Sequence, residues 1–338
     1  MPIKNRYKKN TKIFINYFLG PILFAWVSYS IYNQISNQPH LDSSWQATKN
    51  SLGARMTWTL MGVFALMLAN WSIEAFKWKL SVQRVQEVTF LMAFKAVLSG
   101  VSFSVSTPNR VGEYLGRILY MKEGNRLKAI SLTITGSISQ LMVTLTMGLA
   151  GLLLLRSSVE ASGMISTMWL KVLVYGTLIV LVVLTLFYFR LPWLVKWIDR
   201  LPGNNKFAWL IRALEEFNAT LLLQLLSLSA LRFAVFIVQY YLLFKLFGVD
   251  ITAWQGLWAV SISFLVMAVI PTIALFTDLG LRGEISLRLL GLFSDNSIGI
   301  GLVSVSIWFI NLIIPALAGS LLILSIKKIF KNKNEVIQ

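Results

Sequence analysis

The chain has 338 residues, of which 56% are hydrophobic and only 13% are charged, and its mean hydropathy is +0.69. This is far more apolar surface than a soluble fold buries, so composition excludes a soluble globular protein and places the chain in a bilayer. The chain has no cysteine, which excludes disulfide and thiolate chemistry, and its single histidine, His40, is expected in a solvated loop. The formal charge of +17 is interpreted as membrane topology and attraction to anionic lipid, with no nucleic acid as partner.

Six apolar stretches reach the roughly 20 residues that a helix needs to cross the hydrocarbon core. They cover residues 13–32, 56–76, 127–155, 168–189, 221–247 and 298–326. The first stretch is too long for a signal sequence, so we expect it to be a retained span. An alternative for the fifth is a separate elbow helix over residues 220–230, in which case Arg232 extends to the membrane interface. Residues 191–203 alternate apolar and basic positions, which predicts an amphipathic helix on the cytoplasmic side.

Two further apolar runs, residues 88–106 and 254–270, each lead into a proline and then a charged segment. A proline cannot continue the incoming helix, and it biases the residue before it toward extended backbone. Thr107-Pro108 and Ile270-Pro271 are therefore predicted hairpin tips. We predict that both runs are re-entrant, so that each enters and leaves the membrane on one side.

The distribution of lysine and arginine favours this topology. With a cytoplasmic N-terminus, twenty of the 31 basic residues fall in cytoplasmic segments and five outside, and Lys77 is counted among the cytoplasmic ones. If either run were a full crossing, later basic clusters would lie outside. The six remaining basic residues fall within the hairpins or a span: Lys95, Arg110, Arg117, Arg232, Arg282 and Arg288.

The charged segment of the first hairpin is repeated in the second half of the chain. "PNRVGEYLGR" (residues 108–117) corresponds to "LGLRGEISLR" (residues 279–288). Both contain an arginine, then Gly-Glu within three residues, then a second arginine four residues after the glutamate. Because the two units enter from opposite sides, the pattern predicts an inverted-topology repeat, in which broken helices form a binding site near the midplane.

Both segments are candidate anion sites, since the N-terminus of each outgoing helix and the nearby arginine suit a phosphate. Each glutamate and the arginine four residues later share a helix face. The alternative is a structural surface ion pair, but the duplication and the cost of intramembrane charge favour function. The candidate substrate-binding residues are Arg110, Glu113, Arg117, Arg282, Glu284 and Arg288, with Asp278 and Lys95 as candidates for coupling or charge balance.

Four polar residues within the spans, Asn70, Gln140, Gln239 and Asn311, are expected to hydrogen-bond neighbouring helices. We assign them no part in binding. Neither a metal nor another cofactor is predicted.

The arginine, Gly-Glu and arginine that follow Pro108, with the later Leu-Gly-x-Arg segment, resemble the flippase-like transmembrane domain of lysylphosphatidylglycerol synthases and its stand-alone relatives. The resemblance covers residues 56–326 and implies lipid translocation in the cytoplasmic membrane of a bacterium. We expect no soluble aminoacyl-transfer domain, which argues against lipid aminoacylation. Two features depart from the family pattern. Residues 280–284 read "GLRGE" where relatives have Gly-x-Arg-Glu, and Gln140 and hydroxyls replace a charged pair that relatives often carry.

We therefore predict an all-α polytopic membrane protein with six full spans, two oppositely inserted re-entrant hairpins and both termini in the cytoplasm. Four parts are expected: an N-terminal span with an outer loop, a first repeat, a linking span with the amphipathic helix, and a second repeat. They cover residues 1–53, 54–160, 161–212 and 213–338.

The predicted function is movement of a phosphate-bearing lipid, either a phospholipid or a polyprenyl phosphate, without chemical change to it. One alternative is a non-catalytic partner in envelope assembly. The other is a membrane-embedded enzyme acting on lipid phosphate, which is weakened by the lack of usable histidine, cysteine or a carboxylate cluster. Arg110→Ala and Arg282→Ala are each predicted to abolish transport in a folded protein.

Overall fold

The computed structural model describes residues 46, 49–50, 56–105, 107, 111–190, 218–270 and 275–323, and every regular element in this part of the chain is helical. In chain order the α-helices are α1 (Met56–Val82), α2 (Phe90–Val105), α3 (Gly112–Ile118), α4 (Arg126–Leu154), α5 (Arg156–Ala161), α6 (Thr167–Phe189), α7 (Ala219–Leu246), α8 (Ala253–Val269), α9 (Leu275–Leu290) and α10 (Ser297–Trp308). A 3-10 turn, Glu123–Asn125, precedes α4. A π-helical turn, Phe309–Ile313, follows α10 within a helical stretch that continues to Ile323.

Five of the predicted spans are confirmed as helices that are long and apolar enough to cross a membrane. They are Met56–Val82, Glu123–Leu154, Thr167–Phe189, Ala219–Leu246 and Ser297–Ile323. The span predicted at 13–32 and the amphipathic helix predicted at 191–203 lie outside the described residues.

The elbow helix considered for residues 220–230 is wrong, because α7 is one continuous helix. Its N-terminus is capped by Asn218, whose side-chain oxygen accepts a hydrogen bond from the backbone N–H of Leu221 at 2.9 Å. Neither glycine nor proline occurs between Ala219 and Leu246, so nothing in the sequence breaks the helix there.

The first apolar run folds as α2, and α3 packs against it in the opposite direction. Close backbone contact is permitted by glycine: a Cβ at Gly116 would lie 2.4 Å from the backbone nitrogen of Gly100. Thr107 closes the connection, because its hydroxyl accepts a hydrogen bond from the N–H of Gly112 at 2.7 Å and donates one to the carbonyl of Phe103 at 3.2 Å. These contacts fix the start of α3 beside the end of α2.

The second apolar run folds as α8, which begins at a capping box formed by Thr252 and Gln255. It ends before Ile270, whose backbone is extended (φ −85°, ψ 115°), as expected for a residue that precedes a proline. The next described helix, α9, packs against α8. The charged segment predicted to follow the second tip is therefore helical.

The helices form one packed bundle in which α1, α4 and α7 contact one another. The pair α2–α3 joins this bundle through α1 and α4, whereas α8 contacts α4 and α7, and α9 contacts α10. The interior contains large buried side chains such as Trp78, Tyr240 and Phe244. Helix α6 is peripheral and buries few residues. The packing therefore brings both helix pairs against a shared centre.

Candidate functional site

A single buried carboxylate, Glu74 in α1, stands at the centre of a charged cluster. Its Oε1 accepts a hydrogen bond from Nη2 of Arg117 in α3 at 2.8 Å. Its Oε2 lies 2.9 Å from Nζ of Lys77, three residues later in α1, and also accepts a hydrogen bond from Arg232 in α7. One carboxylate therefore joins three helices and compensates basic groups that would be costly to bury alone.

Arg232 is held by a further pair of residues in α1. Its Nε donates a hydrogen bond to Oδ1 of Asn70 at 2.9 Å, and its guanidinium carbon lies 5.6 Å from the ring centroid of Trp71. The side chain is buried, so the expectation that Arg232 extends to the membrane interface is wrong. The reason is that α7 runs unbroken past this position and packs its Arg232 face against α1.

Lys77 connects the cluster to buried hydroxyl groups. Its Nζ donates to Oγ of Ser229 in α7 at 3.2 Å, and Oγ of Ser229 lies 2.9 Å from Oγ of Ser139 in α4. The Lys77 side chain, counted above with the cytoplasmic charges, is only 2% exposed and belongs to the interior of the bundle. The helix continues to Val82, and Lys77 lies on the same face as Glu74.

Arg117 is shared by two carboxylates of different exposure. Besides Glu74 it contacts Glu113, four residues earlier in α3, so the predicted sharing of a helix face is confirmed for this pair. The Arg117 side chain is 2% exposed and that of Glu113 is 27% exposed. Glu113 lines the cavity described below and Arg117 does not, so a ligand in the cavity meets Glu113 first.

A second ion pair lies on α9. Nη2 of Arg282 is 3.3 Å from Oδ2 of Asp278, and both side chains are largely buried. Asp278 thus forms an ion pair with Arg282, which is compatible with charge balance, one of the two roles considered for it. Helix α9, which carries both residues, packs against α8 and α10.

These groups border one cavity of ≈ 700 Å³, a volume within the range of about 300–1,000 Å³ common for small-molecule sites. Its charged lining residues come from α1, α3, α7 and α9. They are Glu74, Lys77, Glu113, Arg232, Asp278 and Arg282. The cavity thus brings Glu113 of the first predicted motif together with Arg282 of the second and with Asp278, which precedes the second motif.

Part of the cavity wall is apolar and aromatic. Phe264 in α8 packs edge-on against Phe233 and Phe236 in α7, with ring centroids 5.8 Å apart in both pairs. Val269 and Ile270 also line the cavity and are exposed, so this wall continues to the outer surface of the bundle. The cavity therefore combines a charged part with an apolar part that reaches the surface of the bundle.

The other predicted site residues are placed differently. Arg110 lies outside the described residues. Lys95 is partly buried in α2 and does not line the cavity. Glu284 and Arg288 pair at 2.7 Å, as the i, i+4 spacing predicted, but they do not line the cavity, and the Arg288 side chain is 53% exposed.

Three central residues were not identified from the sequence as site residues: Glu74, Lys77 and Arg232. Glu74 is an acidic residue inside a predicted span, which is itself a signal of function because charge within the bilayer is costly. Asn70, Gln140 and Gln239 hydrogen-bond neighbouring helices as expected, whereas the amide of Asn311 donates to the carbonyl of Ile307 in its own helix. Gln140 and Asn311, to which no binding role was assigned, also line the cavity.

The chemistry of the site suits an anion. Its carboxylates are all held by basic side chains, and the described residues contain no group of three metal-ligating side chains. Counting only described residues, four basic side chains lie in the two ion-pair clusters against three acidic ones. The basic ones are Lys77, Arg117, Arg232 and Arg282, and the acidic ones are Glu74, Glu113 and Asp278. The additional basic group is Arg117, which does not line the cavity, so the charged residues that line it are three basic and three acidic.

A family model described as "Lysylphosphatidylglycerol synthase TM region" matches residues 41–319. Neither a curated protein nor a solved structure matches the chain.

Proposed function

Since the chain belongs to the family of the lysylphosphatidylglycerol synthase transmembrane region, we propose that this multi-pass membrane protein moves a phosphate-bearing lipid between the two leaflets. The substrate class is a phospholipid or a polyprenyl phosphate. The protein binds the lipid and releases it without a chemical change.

The cavity is the observation that carries this proposal. Its charged part, with Lys77, Arg232 and Arg282, offers charge-assisted hydrogen bonds to a phosphate. Its aromatic wall, formed with Phe233 and Phe264, suits the adjoining apolar part of a lipid. Val269 and Ile270 lead from that wall to the surface, and we propose that the lipid chains leave the cavity there and remain in the membrane.

Glu113 has a specific part in this proposal. It contacts Arg117 from the cavity side, while Glu74 already holds Arg117 from the interior. A lipid phosphate can replace the Glu113 carboxylate as a partner of the basic cluster, and Glu113 can take that place again when the lipid leaves. This exchange keeps the basic cluster compensated throughout the cycle and so avoids an uncompensated buried charge.

The topology proposed for transport uses the two helix pairs, α2–α3 and α8–α9. We propose that each pair is a re-entrant hairpin, that the two enter from opposite sides, and that they form an inverted repeat within six full spans. We also propose that the protein lies in the cytoplasmic membrane of a bacterium, with both termini in the cytoplasm. Support comes from the chain order, since α1 precedes the first pair as α7 precedes the second, and from the Glu74–Arg232 contact between α1 and α7.

The experiment is a translocation assay on the full chain in liposomes, with acyl-labelled phosphatidic acid, phosphatidylglycerol and polyprenyl phosphate as probes. Arg282→Ala is expected to lower the initial rate about tenfold or more, because a hydrogen bond to a charged group contributes about 1.5–3 kcal/mol. Arg110→Ala is tested in parallel, because Arg110 is the first arginine of the repeated motif. Arg156→Ala is the matched control, since Arg156 forms an exposed i, i+4 pair with Glu160 away from the cavity.

Correct insertion of each variant is checked by its elution profile and thermal unfolding in detergent. Wild-type rates in folded Arg282→Ala protein would remove Arg282 from the site. If no probe moves in the presence of the wild-type chain, translocation itself is wrong. A probe that is converted to a new lipid would instead identify an enzyme.

A further inference from the structure

The segment that leads into the helix pair α2–α3 is hydrogen-bonded to the segment that leads out of it. These segments are residues 83–89, before α2, and residues 119–125, after α3, and together they form the first base. The side-chain nitrogen of Asn125 donates to the carbonyl of Val85 at 3.2 Å. The side chain of Gln86 also accepts a hydrogen bond at 2.9 Å from the backbone of the outgoing segment. The two ends of the pair are therefore held side by side.

The pair α8–α9 has an equivalent contact. Its incoming segment is residues 247–252 and its outgoing segment is residues 291–296, which together form the second base. The side-chain nitrogen of Asn296 donates to the carbonyl of Phe247 at 3.0 Å and to that of Gly248 at 2.9 Å. Carbonyls at the end of a helix lack a donor within that helix, so a side-chain amide is a suitable partner for them. In both pairs an asparagine amide thus joins the two ends.

The two asparagines occupy the same place in the sequence repeat. Asn125 lies twelve residues after Glu113, and Asn296 lies twelve residues after Glu284. Each directly precedes the last span of its half, which begins with α4 or α10. Each donates to a carbonyl within three residues of the end of the first span, α1 or α7. The register of the repeat and the contact are independent observations, and both make the two asparagines equivalent.

Donation by the amide nitrogen is the property that the two side chains share. Asn125 directly precedes α4, where asparagine commonly caps a helix, yet its side chain makes no cap hydrogen bond. Asn296 does cap α10, because its Oδ1 accepts from the N–H of Gly299 at 2.9 Å while its nitrogen bonds the incoming segment. An aspartate at either position would keep an acceptor oxygen and lose the donor.

The bases lie away from the cavity, whereas the opposite ends of the helix pairs lie at it. All four connecting segments are described, and none of their residues lines the cavity. Glu113, near the start of α3, does line it, as do Val269 and Ile270 at the end of α8. These opposite ends are the tips of the two pairs. A movement of a tip therefore changes the cavity while the base stays closed.

Resting on the proposed function, we infer that Asn125 and Asn296 are equivalent positioning residues, one in each half of the chain. Each holds the two ends of its helix pair together on one side of the membrane. The pair then moves at its tip, and the base stays closed, when the cavity opens toward a leaflet. Neither asparagine contacts the lipid, since neither lines the cavity.

The first test uses Asn125→Asp and Asn296→Asp in the full chain, in the liposome assay with acyl-labelled phosphatidylglycerol. Aspartate has nearly the same shape and still caps a helix, but it offers no donor to the carbonyl. We expect the initial rate to fall about fivefold in each variant, as for the loss of one or two hydrogen bonds. Asn218→Asp is the matched control, because Asn218 caps α7 through its oxygen, which aspartate retains. Its rate is expected to stay within about twofold of wild type.

Cysteine pairs test whether the base stays closed during transport. The chain has no cysteine, so two substitutions give a protein with only two thiols. One protein carries Val85→Cys with Asn125→Cys, and the other carries Phe247→Cys with Asn296→Cys. A reversible bis-methanethiosulfonate cross-linker then replaces the asparagine contact by a covalent one. We expect the cross-linked proteins to transport the probe at the wild-type rate, and the same proteins after reduction to transport it at the rate of the aspartate variants.

Labelling tests the closed bases without any transport. Gln83→Cys and Glu123→Cys each place one thiol in the first base, and Asp250→Cys and Asp295→Cys do the same in the second. All four positions are exposed. A membrane-impermeant maleimide is applied to right-side-out and to inverted membrane vesicles. The two thiols of one base are expected to react from the same face of the membrane.

The outcomes are distinct. Wild-type transport by folded Asn125→Asp and Asn296→Asp overturns the positioning role. If an aspartate variant does not fold, the cross-linked pair at the same base decides. Arrest of transport by the cross-linker overturns movement at the tip, since the base must then open. Labelling of one base from both faces overturns the closed base, whatever the transport result. If the wild-type chain moves no probe while each base labels from one face, the proposed function fails and the closed bases stand.

Discussion

The pairs Glu113–Arg117 and Glu284–Arg288 have the same residue types, the same spacing and the same contact, yet their surroundings are opposite. Arg117 is buried behind a cavity and shares its charge with Glu74 in another helix. Arg288 is 53% exposed and lies away from that cavity. The local motif fixes only that the two side chains meet on one helix face. Whether the pair belongs to a binding site depends on the packing around it.

The second helix pair also contributes an acid–base pair to the cavity, but at other positions of its sequence. In α9 the arginine at the cavity is Arg282, and its partner is Asp278, so this pair lies nearly two turns before the Glu284–Arg288 pair. When the two motifs are aligned by their Gly-Glu dipeptides, Glu113 corresponds to Glu284. Only Glu113 of these two residues lines the cavity. Substitutions in the two environments measure how far they differ.

Glu74→Gln is expected to have the largest effect. The substitution leaves Lys77, Arg117 and Arg232 together in a buried site with only Glu113 as an acidic partner. Breaking a buried ion pair costs about 3–5 kcal/mol, and we expect about 5 kcal/mol because three partners are affected. The free energy of unfolding is measured by denaturant titration in mixed micelles. Glu160→Gln, at an exposed pair, is the control. A loss below about 1 kcal/mol would show that the cluster is compensated in another way.

Arg117→Ala and Arg288→Ala compare the two motifs directly. We expect a loss of about 3 kcal/mol for Arg117→Ala, the lower end for a buried pair, because Glu74 keeps Lys77 and Arg232. For Arg288→Ala we expect a change within about 0.5 kcal/mol, as for exposed ion pairs, and unchanged transport. The same unfolding titration applies to both variants. Equal losses would mean that the difference in exposure has no energetic consequence.

Gly116→Ala tests the packing of the first helix pair. An added Cβ would lie 2.4 Å from the backbone of α2, which cannot move aside as a flexible side chain can. We expect a loss of about 1–3 kcal/mol, as for overpacking in a core. Gly301→Ala in α10 is the control, since no atom lies within 4 Å of the added Cβ and alanine favours helix. If Gly116→Ala is as stable as Gly301→Ala, the close contact of α2 and α3 is contradicted.

Glu113→Gln is expected to lower the free energy of unfolding by less than about 1 kcal/mol, because Glu113 is partly exposed. It removes the acidic group that competes with a lipid phosphate at the basic cluster. We therefore expect tighter retention of anionic lipid during purification, measured by native mass spectrometry, together with slower turnover in liposomes. Glu123→Gln, at an exposed carboxylate, is the control. Weaker lipid retention in Glu113→Gln would falsify the competition between the two anions.

Much of the fold could be predicted because it follows from length and composition. The helices of five spans, the two shorter apolar runs and the break before Pro271 all come from apolar runs and from proline. The site was predicted only in part. Glu113 and Asp278–Arg282 do line the cavity, but Glu74 and Arg232 are 158 residues apart, and no local pattern indicates that they meet.

The sequence alone determined the class of protein and the pairing of acid and base within single helices, because hydrophobic length and helical spacing are local properties. It also carried the resemblance to the family that the chain belongs to. The tertiary structure decided which charges are buried and which line a shared cavity. Lys77 and Arg232 are central because α1 and α7 pack face to face, while Arg288 faces outward on α9. Burial and convergence depend on contacts between distant segments, and only packing sets these.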